Sequence, residues 1–87
     1  MPRSCDVVVV NYNAGLLLED CVISVLAQDI NRLVLVDNAS HDGSLEQVAT
    51  RFAADERLLI LRNPSNTGFA AACNLGASHC EQPHILF

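Results

Sequence analysis

The sequence contains no lysine and no tryptophan, and its five basic residues are all arginine, against ten acidic residues. Without lysine, the chain has neither the phosphate-binding lysine of a P-loop nor a Schiff-base nucleophile. The net charge of −5 argues against a nucleic-acid surface, which neutralises phosphates with many basic side chains. The composition therefore excludes nucleic acid as a partner, together with two common kinds of functional site.

Long apolar runs are also missing. The longest, Phe69 to Cys73, has five residues, whereas a membrane-spanning helix needs about 20. The run near the N-terminus, Val7 to Val10, is shorter than the roughly 7–15 apolar residues at the centre of a signal peptide. The sequence thus predicts no transmembrane segment and no export signal, and we expect a cytoplasmic protein.

Cysteine and histidine are too scattered to indicate a metal site. The four cysteines (Cys5, Cys21, Cys73 and Cys80) form no C-x-x-C pair, and the three histidines stand at no metal-ligand spacing. We expect four reduced thiols that pack as small apolar side chains, and no metal ligand within this chain.

Apolar runs recur along the 87 residues, which are 51% hydrophobic and fit one small domain. Four short, continuously apolar runs follow one another at intervals of about 25 residues, as in a chain of strands with intervening helices. Continuous rather than alternating runs indicate strands that are buried on both faces. The predicted strands are Val7–Val10, Leu33–Val36, Leu58–Leu61 and Ile85–Phe87.

Helical periodicity fills the stretches between these runs. Apolar residues recur at helical spacing from Leu18 and from Leu45, and an alanine-rich segment from Phe69 to Cys80 follows Gly68. Ser44 and Gln47 fit a capping box for the second helix, with Asp42 as the alternative cap. Alternating strands and helices predict right-handed βαβ units, and so a Rossmann-like, three-layer α/β fold with a parallel sheet.

Polar loops follow the first three predicted strands, at the edge of a parallel sheet where ligands bind. Asp37 ends an apolar strand, where its carboxylate needs a donor, either a ligand N–H or a backbone N–H of the next loop. Tyr12 is placed to stack on a planar base, with ordinary packing as the alternative. Gly68 would let a ligand approach the start of a helix, whose N-terminus favours negative charge. Turn and cap roles are the alternatives for Asn13 and Asp42.

Three familiar uses of this architecture do not fit the sequence. The loop after the first strand, residues 11–15, lacks the G-x-G-x-x-G of a dinucleotide fold. A P-loop and a phosphoacceptor receiver domain each need a lysine, and the receiver domain also needs acidic residues where Asn11 and Asn63 stand.

Three motifs together resemble family 2 glycosyltransferases, and most of all their rhamnosyltransferase-like branch. They are Val7–Asn13 (VVVVNYN), Leu35–Ser44 (LVDNASHDGS) and Asn63–Gly76 (NPSNTGFAAACNLG). The resemblance covers nearly the whole chain, in order. It implies a truncated GT-A fold with strand order 3-2-1-4, in which residues 1–87 are the N-terminal portion that binds a nucleotide-sugar.

The resemblance also implies a donor site. It assigns the hydrogen bond from the base N–H to Asp37 and the base and ribose pocket to Asn11 and Tyr12. The segment from Asn66 to Asn74 would open the third helix beside the nucleotide. The nucleotide-binding residues expected are Asn11, Tyr12, Asn13, Asp37, Asn38, Asn66, Gly68 and Asn74.

The family's catalytic elements would come after Phe87. The resemblance implies an Asp-x-Asp motif just after the fourth strand, which holds Mg²⁺ or Mn²⁺, and a later carboxylate base. We therefore expect no catalytic residue and no metal ligand here. We expect an inactive donor-binding fragment of a hexosyltransferase, with rhamnose as the candidate sugar, that makes polysaccharide or surface glycan. The alternative is a non-catalytic nucleotide-binding or interaction module.

Two further expectations concern association. An uncovered fourth strand would pair with a second copy, which predicts a homodimer through that edge. The resemblance also allows a peripheral position at the inner face of the membrane.

Overall fold

Four strands alternate with three helices, in the order that the apolar runs predict. The computed structural model describes residues 5–80 and the backbone of residues 84–86. The strands are β1 (Cys5–Asn11), β2 (Arg32–Asp37), β3 (Leu58–Arg62) and β4 (His84–Leu86), and the helices are α1 (Leu16–Leu26), α2 (Ser44–Arg51) and α3 (Phe69–Ala77). The fourth strand was predicted to run to Phe87, which lies outside the described residues.

The strands form one parallel sheet in the order β3-β2-β1-β4. This result confirms the α/β fold and the predicted strand order. The parallel register places Asn11 beside Asp37, and Asp37 beside Arg62. Three polar strand ends therefore lie in a row along one edge of the sheet.

Helices cover both faces of the sheet, which explains why the strands are continuously apolar. On one face, Val7, Leu33 and Leu35 pack with buried residues of α1 and α2. On the other face, Val8, Val34 and Val36 pack with Ala72 of α3. Because successive strand residues point to opposite faces, both faces of β1 and β2 must be apolar to fill these two layers.

Gly76 lets α3 lie close against the sheet. A Cβ atom at this position would be 2.4 Å from Val8 Cγ1 and 3.2 Å from Val36 Cγ2, closer than the roughly 3.5–4.0 Å at which carbon atoms pack. Both valines are buried, and β-branched side chains are stiff about χ1. The missing side chain at Gly76 thus sets the depth of α3, and with it the position of the helix start at Phe69.

The third helix is shorter than predicted. It ends at Ala77 rather than at Cys80, because its last turn tightens. The backbone N–H groups of His79 and Cys80 donate to the carbonyls of Gly76 and Ala77, each three residues back, at 3.1 and 3.0 Å. Such bonds close a tighter turn than the α-helix and commonly end one.

The second helix is not capped by Ser44, the first of the two predicted caps. Gly43, not Ser44, precedes the helix, and the Gln47 N–H donates to the Gly43 carbonyl at 3.2 Å. The capping box of Ser44 and Gln47 is therefore wrong. Asp42, the alternative cap, instead accepts the Ser44 N–H at 3.0 Å.

The four cysteines carry free thiols, as expected. Burial, as the largest cause, raises the pKa of the Cys80 thiol, which keeps this group protonated near neutral pH. Across residues 5–80 and 84–86, no helix is both long enough and apolar enough to cross a membrane.

Candidate functional site

The candidate site is the edge of the sheet where β1, β2 and β3 end. Three loops leave this edge: residues 12–15, residues 38–43 and residues 63–68. Each leads into a helix, so the N-termini of α1, α2 and α3 face the same side of the molecule. Unpaired N–H groups at such ends favour an anionic ligand.

Asn11 lies beneath the first two loops and is 1% exposed. Its Nδ2 lies 2.8 Å from Asp37 Oδ1, 2.9 Å from Ser44 Oγ and 3.0 Å from Ser40 Oγ, so two N–H groups serve three acceptors. Its Oδ1 accepts the Ala14 N–H at 3.2 Å. The Asn11 side chain thus joins the end of β1 to the end of β2, to both loops and to the start of α2.

Asp37 is 4% exposed, and both of its oxygens have protein donors. Oδ1 accepts from Asn11, and Oδ2 accepts the Ser40 backbone N–H at 3.0 Å. Sequence reasoning offered a ligand N–H or a loop N–H as the donor to this carboxylate, and the structure provides the loop N–H. A carboxylate oxygen can accept more than one hydrogen bond, so lone pairs remain for a base N–H.

The first two loops are also bonded directly to each other. The Asn13 N–H donates to Ser40 Oγ at 3.0 Å, and Asn13 Oδ1 accepts the His41 N–H at 2.7 Å. Asn13 has a φ of 50°, a left-handed conformation that asparagine tolerates better than most residues. The loops are therefore held in one conformation before any ligand arrives.

Asp42 adds a further connection between the first two loops, at the starts of α1 and α2. Its Oδ2 accepts the Gly15 N–H just before α1 at 2.9 Å, and its Oδ1 accepts the Ser44 hydroxyl at 2.6 Å. The hydrogen bonds from Ser44, first the side chain and then the backbone, hold the pKa of the Asp42 carboxyl below its ordinary value. Asp42 thus accepts backbone N–H groups at the starts of two helices, whose N-cap residues are Gly15 and Gly43.

Asn38 connects β2 to the third loop and is 2% exposed. Its Nδ2 donates to Asn66 Oδ1 at 3.1 Å and to the Gly68 carbonyl at 3.2 Å. Its Oδ1 accepts from Asn63 Nδ2 at 2.8 Å. The end of β2 is thereby joined to the end of β3 and to the start of α3.

The remaining predicted site residues are exposed. Tyr12 is 52% exposed at the end of β1. Asn66 and Gly68 stand at the surface of the third loop, and Gly68 has a φ of 84°, which favours glycine. Asn74 is exposed on α3, about 7–8 Å along the helix axis from Phe69, and thus apart from the loop cluster.

Sequence reasoning missed the partners that complete this network. Ser40, Ser44, Asn63 and Thr67 lie inside the quoted motifs, but they were not assigned to the site. One local signal was available for Ser40, because an aspartate often bonds the backbone a few residues further along the chain. The contacts of Ser44, Asn63 and Thr67 with residues 25 to 33 positions away have no local signal.

A divalent metal does not fit the described part of the chain. Among residues 5–80 and 84–86, no group of three or more His, Cys, Asp or Glu side chains stands together to hold one. Hard divalent cations need several oxygen ligands, and the described residues do not bring such a group together.

Comparisons of the sequence with known proteins agree on one family. The family model described as "Glycosyl transferase family 2" matches residues 6–87. An uncharacterized glycosyltransferase of Haemophilus influenzae is 33% identical over 78 residues, which cover 87% of this chain and 31% of that protein. Glycosyltransferase GlyG of Streptococcus pneumoniae serotype 4 is 33% identical over 87 residues, 98% of this chain and 29% of that protein. The chain thus spans about a third of the length of these curated relatives.

Two solved structures share the fold. The mannosyltransferase PcManGT of Pyrobaculum calidifontis, solved in complex with GDP-Man and Mn²⁺, is 28% identical with a TM-score of 0.79, over 93% of this chain and 26% of that one. TarS 1-349 of S. aureus is 24% identical with a TM-score of 0.83, over 97% of this chain and 26% of that one, and this likeness concerns the fold alone.

Proposed function

The chain belongs to glycosyl transferase family 2, and we propose that residues 1–87 form the portion of such an enzyme that binds the nucleotide-sugar donor. The observation that carries this proposal is the bonded cluster of three loops at the carboxyl edge of a parallel sheet, where ligands of such sheets bind. The complex of PcManGT with GDP-Man supports it, because that protein shares the fold over most of this chain.

We propose two kinds of contribution from the eight residues expected at the site. The exposed residues Tyr12, Asn13, Asn66 and Gly68 form the surface that meets the nucleotide, and Asn74 extends it along α3. Asn11, Asp37 and Asn38 lie beneath this surface. Asp37, whose carboxylate oxygens keep lone pairs beyond those used by Asn11 and Ser40, is proposed to accept the base N–H.

The described residues supply binding rather than chemistry. They offer hydrogen-bonding groups, the exposed aromatic rings of Tyr12 and Phe69 and helix N-termini, which orient a nucleotide and favour its negative charge. We propose that the carboxylate base and the Mg²⁺ or Mn²⁺ ligands belong to the rest of a longer parent enzyme, and that this chain alone is inactive. The metal would neutralise charge on the leaving diphosphate when bound.

Nucleotide binding can be tested by calorimetry on the purified chain with UDP, dTDP and GDP. Tyr12→Ala should weaken the best of these ligands by roughly 5- to 150-fold if the ring stacks on the base. Leu17→Ala is the matched control, since it removes an apolar side chain that is 73% exposed on α1. If none of the three nucleotides binds, or if both variants bind as the parent does, the proposed site is wrong.

The role of Asp37 needs a separate design. Removing its side chain leaves the Ser40 N–H without its acceptor and takes away one of the three acceptors of the Asn11 amide, and a buried group left unpaired costs about 1–3 kcal/mol. Asp37→Ala would therefore perturb the fold, and the variant to test is Asp37→Asn, assayed well below its melting temperature. Loss of nucleotide binding in a folded Asp37→Asn variant supports the base contact, and unchanged affinity excludes it.

The family assignment specifies neither the donor sugar nor the product. We propose a hexosyl donor, with rhamnose as the candidate from the sequence resemblance, and an acceptor hydroxyl in polysaccharide or surface-glycan synthesis. Preference for dTDP over UDP and GDP in the same calorimetry would favour a dTDP-linked sugar, and preference for GDP would exclude it.

A non-catalytic nucleotide-binding or interaction module is the second candidate, since the described residues offer groups for binding and no cluster of metal ligands, as either candidate requires. It predicts nucleotide affinity without any dependence on Mg²⁺ or Mn²⁺ in the full-length protein. A metal-dependent affinity in a longer parent protein, with sugar transfer, would rule it out.

Association and location also remain proposals. Among the described strands, β4 pairs with β1 on one side only, so we propose that a second copy pairs along its other edge and that sedimentation will show a dimer at high concentration. A monomer at those concentrations would refute this dimer. We further propose a cytoplasmic protein, peripheral to the inner face of the membrane, which fractionation of cells can test.

A further inference from the structure

We infer that Asn38 is a positioning residue of the proposed donor site: it holds the loop between β3 and α3 in place and does not touch the nucleotide. The inference rests on the proposed function, since it assigns a role within that site. The sequence resemblance implied that Asn38 contacts the nucleotide directly, whereas here Asn38 acts on the nucleotide only through the loop.

The hydrogen-bonding capacity of the Asn38 amide is fully used within the protein. A side-chain amide has two N–H donors and one oxygen with two lone pairs. Both donors are used, at 3.1 Å to Asn66 Oδ1 and at 3.2 Å to the Gly68 carbonyl. The oxygen lies 2.8 Å from Asn63 Nδ2 and 3.3 Å from Thr67 Oγ1. No donor or lone pair of this buried amide is left for a ligand.

The loop, in turn, depends on these bonds because nothing apolar anchors it. All six residues from Pro64 to Phe69 are exposed, so burial of side chains does not fix the loop. Asn66 Oδ1 accepts the Gly68 N–H at 2.8 Å as well as the Asn38 donor, which orients the Asn66 amide. Asn38 is therefore the buried point to which an otherwise exposed loop is attached.

The attachment reaches the first turn of α3. The Gly68 carbonyl that accepts from Asn38 also accepts the Ala72 N–H at 3.2 Å, the first bond of the helix. The end of β2 and the start of α3 are thus joined through one carbonyl. Holding this start in place keeps the free N–H groups of the first turn at the edge of the sheet where β1, β2 and β3 end. An anionic group bound at that edge would meet them.

Two variants separate positioning from contact. Asn38→Asp keeps the shape of the side chain but places a carboxylate oxygen against Asn66 Oδ1 and the Gly68 carbonyl, where two N–H groups stood. The double variant Asn63→Ala and Thr67→Ala leaves Asn38 unchanged and removes the loop side chains that bond its oxygen. Gln47→Glu is the matched control, because it makes the same amide-to-acid change on an exposed residue of α2.

The experiment measures hydrogen exchange of the free full chain and its affinity for UDP, dTDP and GDP. Positioning predicts faster exchange at the Gly68 and Ala72 amides and at least tenfold weaker nucleotide binding in Asn38→Asp, and the same direction of change in the double variant. Gln47→Glu should change neither quantity.

Two results would overturn the inference. One is a double variant that binds nucleotide as tightly as the parent with unchanged exchange in the loop. The other is an Asn38→Asp variant that loses affinity while the exchange of the loop in the free protein stays the same, as a direct contact would produce. If the parent binds none of the three nucleotides, the proposed function fails, and the exchange measurements still decide whether Asn38 holds the loop.

Discussion

Replacing Gly76 by alanine tests how closely α3 must pack against the sheet. The added Cβ would lie 2.4 Å from Val8 Cγ1, more than 1 Å inside the roughly 3.5 Å at which carbon atoms begin to pack well. Val8 is 2% exposed and Val36 is fully buried, so neither side chain can turn toward solvent. The helix must therefore move outward, or the two strands must adjust.

The magnitude follows from two opposing effects. Overpacking a core costs about 1–3 kcal/mol, and a contact this short belongs at the upper end of that range. Alanine is a better helix former than glycine by roughly 0.8–1 kcal/mol, which offsets part of the cost. We expect Gly76→Ala to lower the free energy of unfolding by about 1–2 kcal/mol, and the melting temperature by roughly 4–16 °C at 4–8 °C per kcal/mol.

The assay is urea unfolding of the purified chain followed by circular dichroism. Ala71→Gly, at an exposed position of the same helix, is the control for helix propensity and should lose about 1 kcal/mol without any steric effect. Combining Gly76→Ala with Val8→Ala should cost less than the sum of the single changes, by about 0.5–3 kcal/mol, since Val8 then no longer clashes. A Gly76→Ala chain as stable as the parent would refute the close-packing explanation.

Two further predictions concern the two ends of the sheet. Because the Asp42 carboxyl has a lowered pKa in the folded chain, its stabilising effect is complete above its unfolded value of about 4 and is lost as the pH falls through the lower folded value. Denaturation at a series of pH values should thus show a steeper acid loss of stability in the parent than in Asp42→Asn, and parallel curves would contradict this. At the opposite end, Arg57 donates to the Leu26 carbonyl at the end of α1 at 2.9 Å and to the Gln28 carbonyl just after that helix at 3.3 Å, and it bonds Asp55 at 3.0 Å. With its side chain 24% exposed, Arg57→Gln should cost about 1–2 kcal/mol in urea unfolding and leave nucleotide affinity unchanged, and weaker nucleotide binding would show that the two ends are coupled.

The secondary structure could be read from the sequence because its causes are local, whereas the strand order was implied only by the resemblance to a known family. A strand covered on both faces must be continuously apolar, and a helix that covers a sheet repeats its apolar residues every three or four positions. These patterns placed all four strands and three helices. They were less accurate at the end of α3, where the tightened turn after Ala77 depends on bonds that no periodic pattern marks.

The edge of the sheet that carries the candidate site was also predictable, although the contacts within it were not. Polar residues follow each of the first three strands, and the ends of parallel strands meet at one edge. Yet Asn11, Asp37 and Asn38 have the same composition as any exposed turn. Only the structure shows that they are at least 96% buried and bonded to one another or to the neighbouring loops.

By itself, the sequence determined the kind of fold, the order of its elements along the chain and the edge where polar loops gather, since each follows from residue types within short segments. Only the tertiary structure decided which polar side chains hold the loops and how deeply α3 packs. Asn11 and Asp37 are 26 positions apart, and Asn38 and Asn66 are 28 apart. Such pairs form only when the βαβ crossovers bring distant strand ends together, so their geometry depends on the whole sheet rather than on any local pattern.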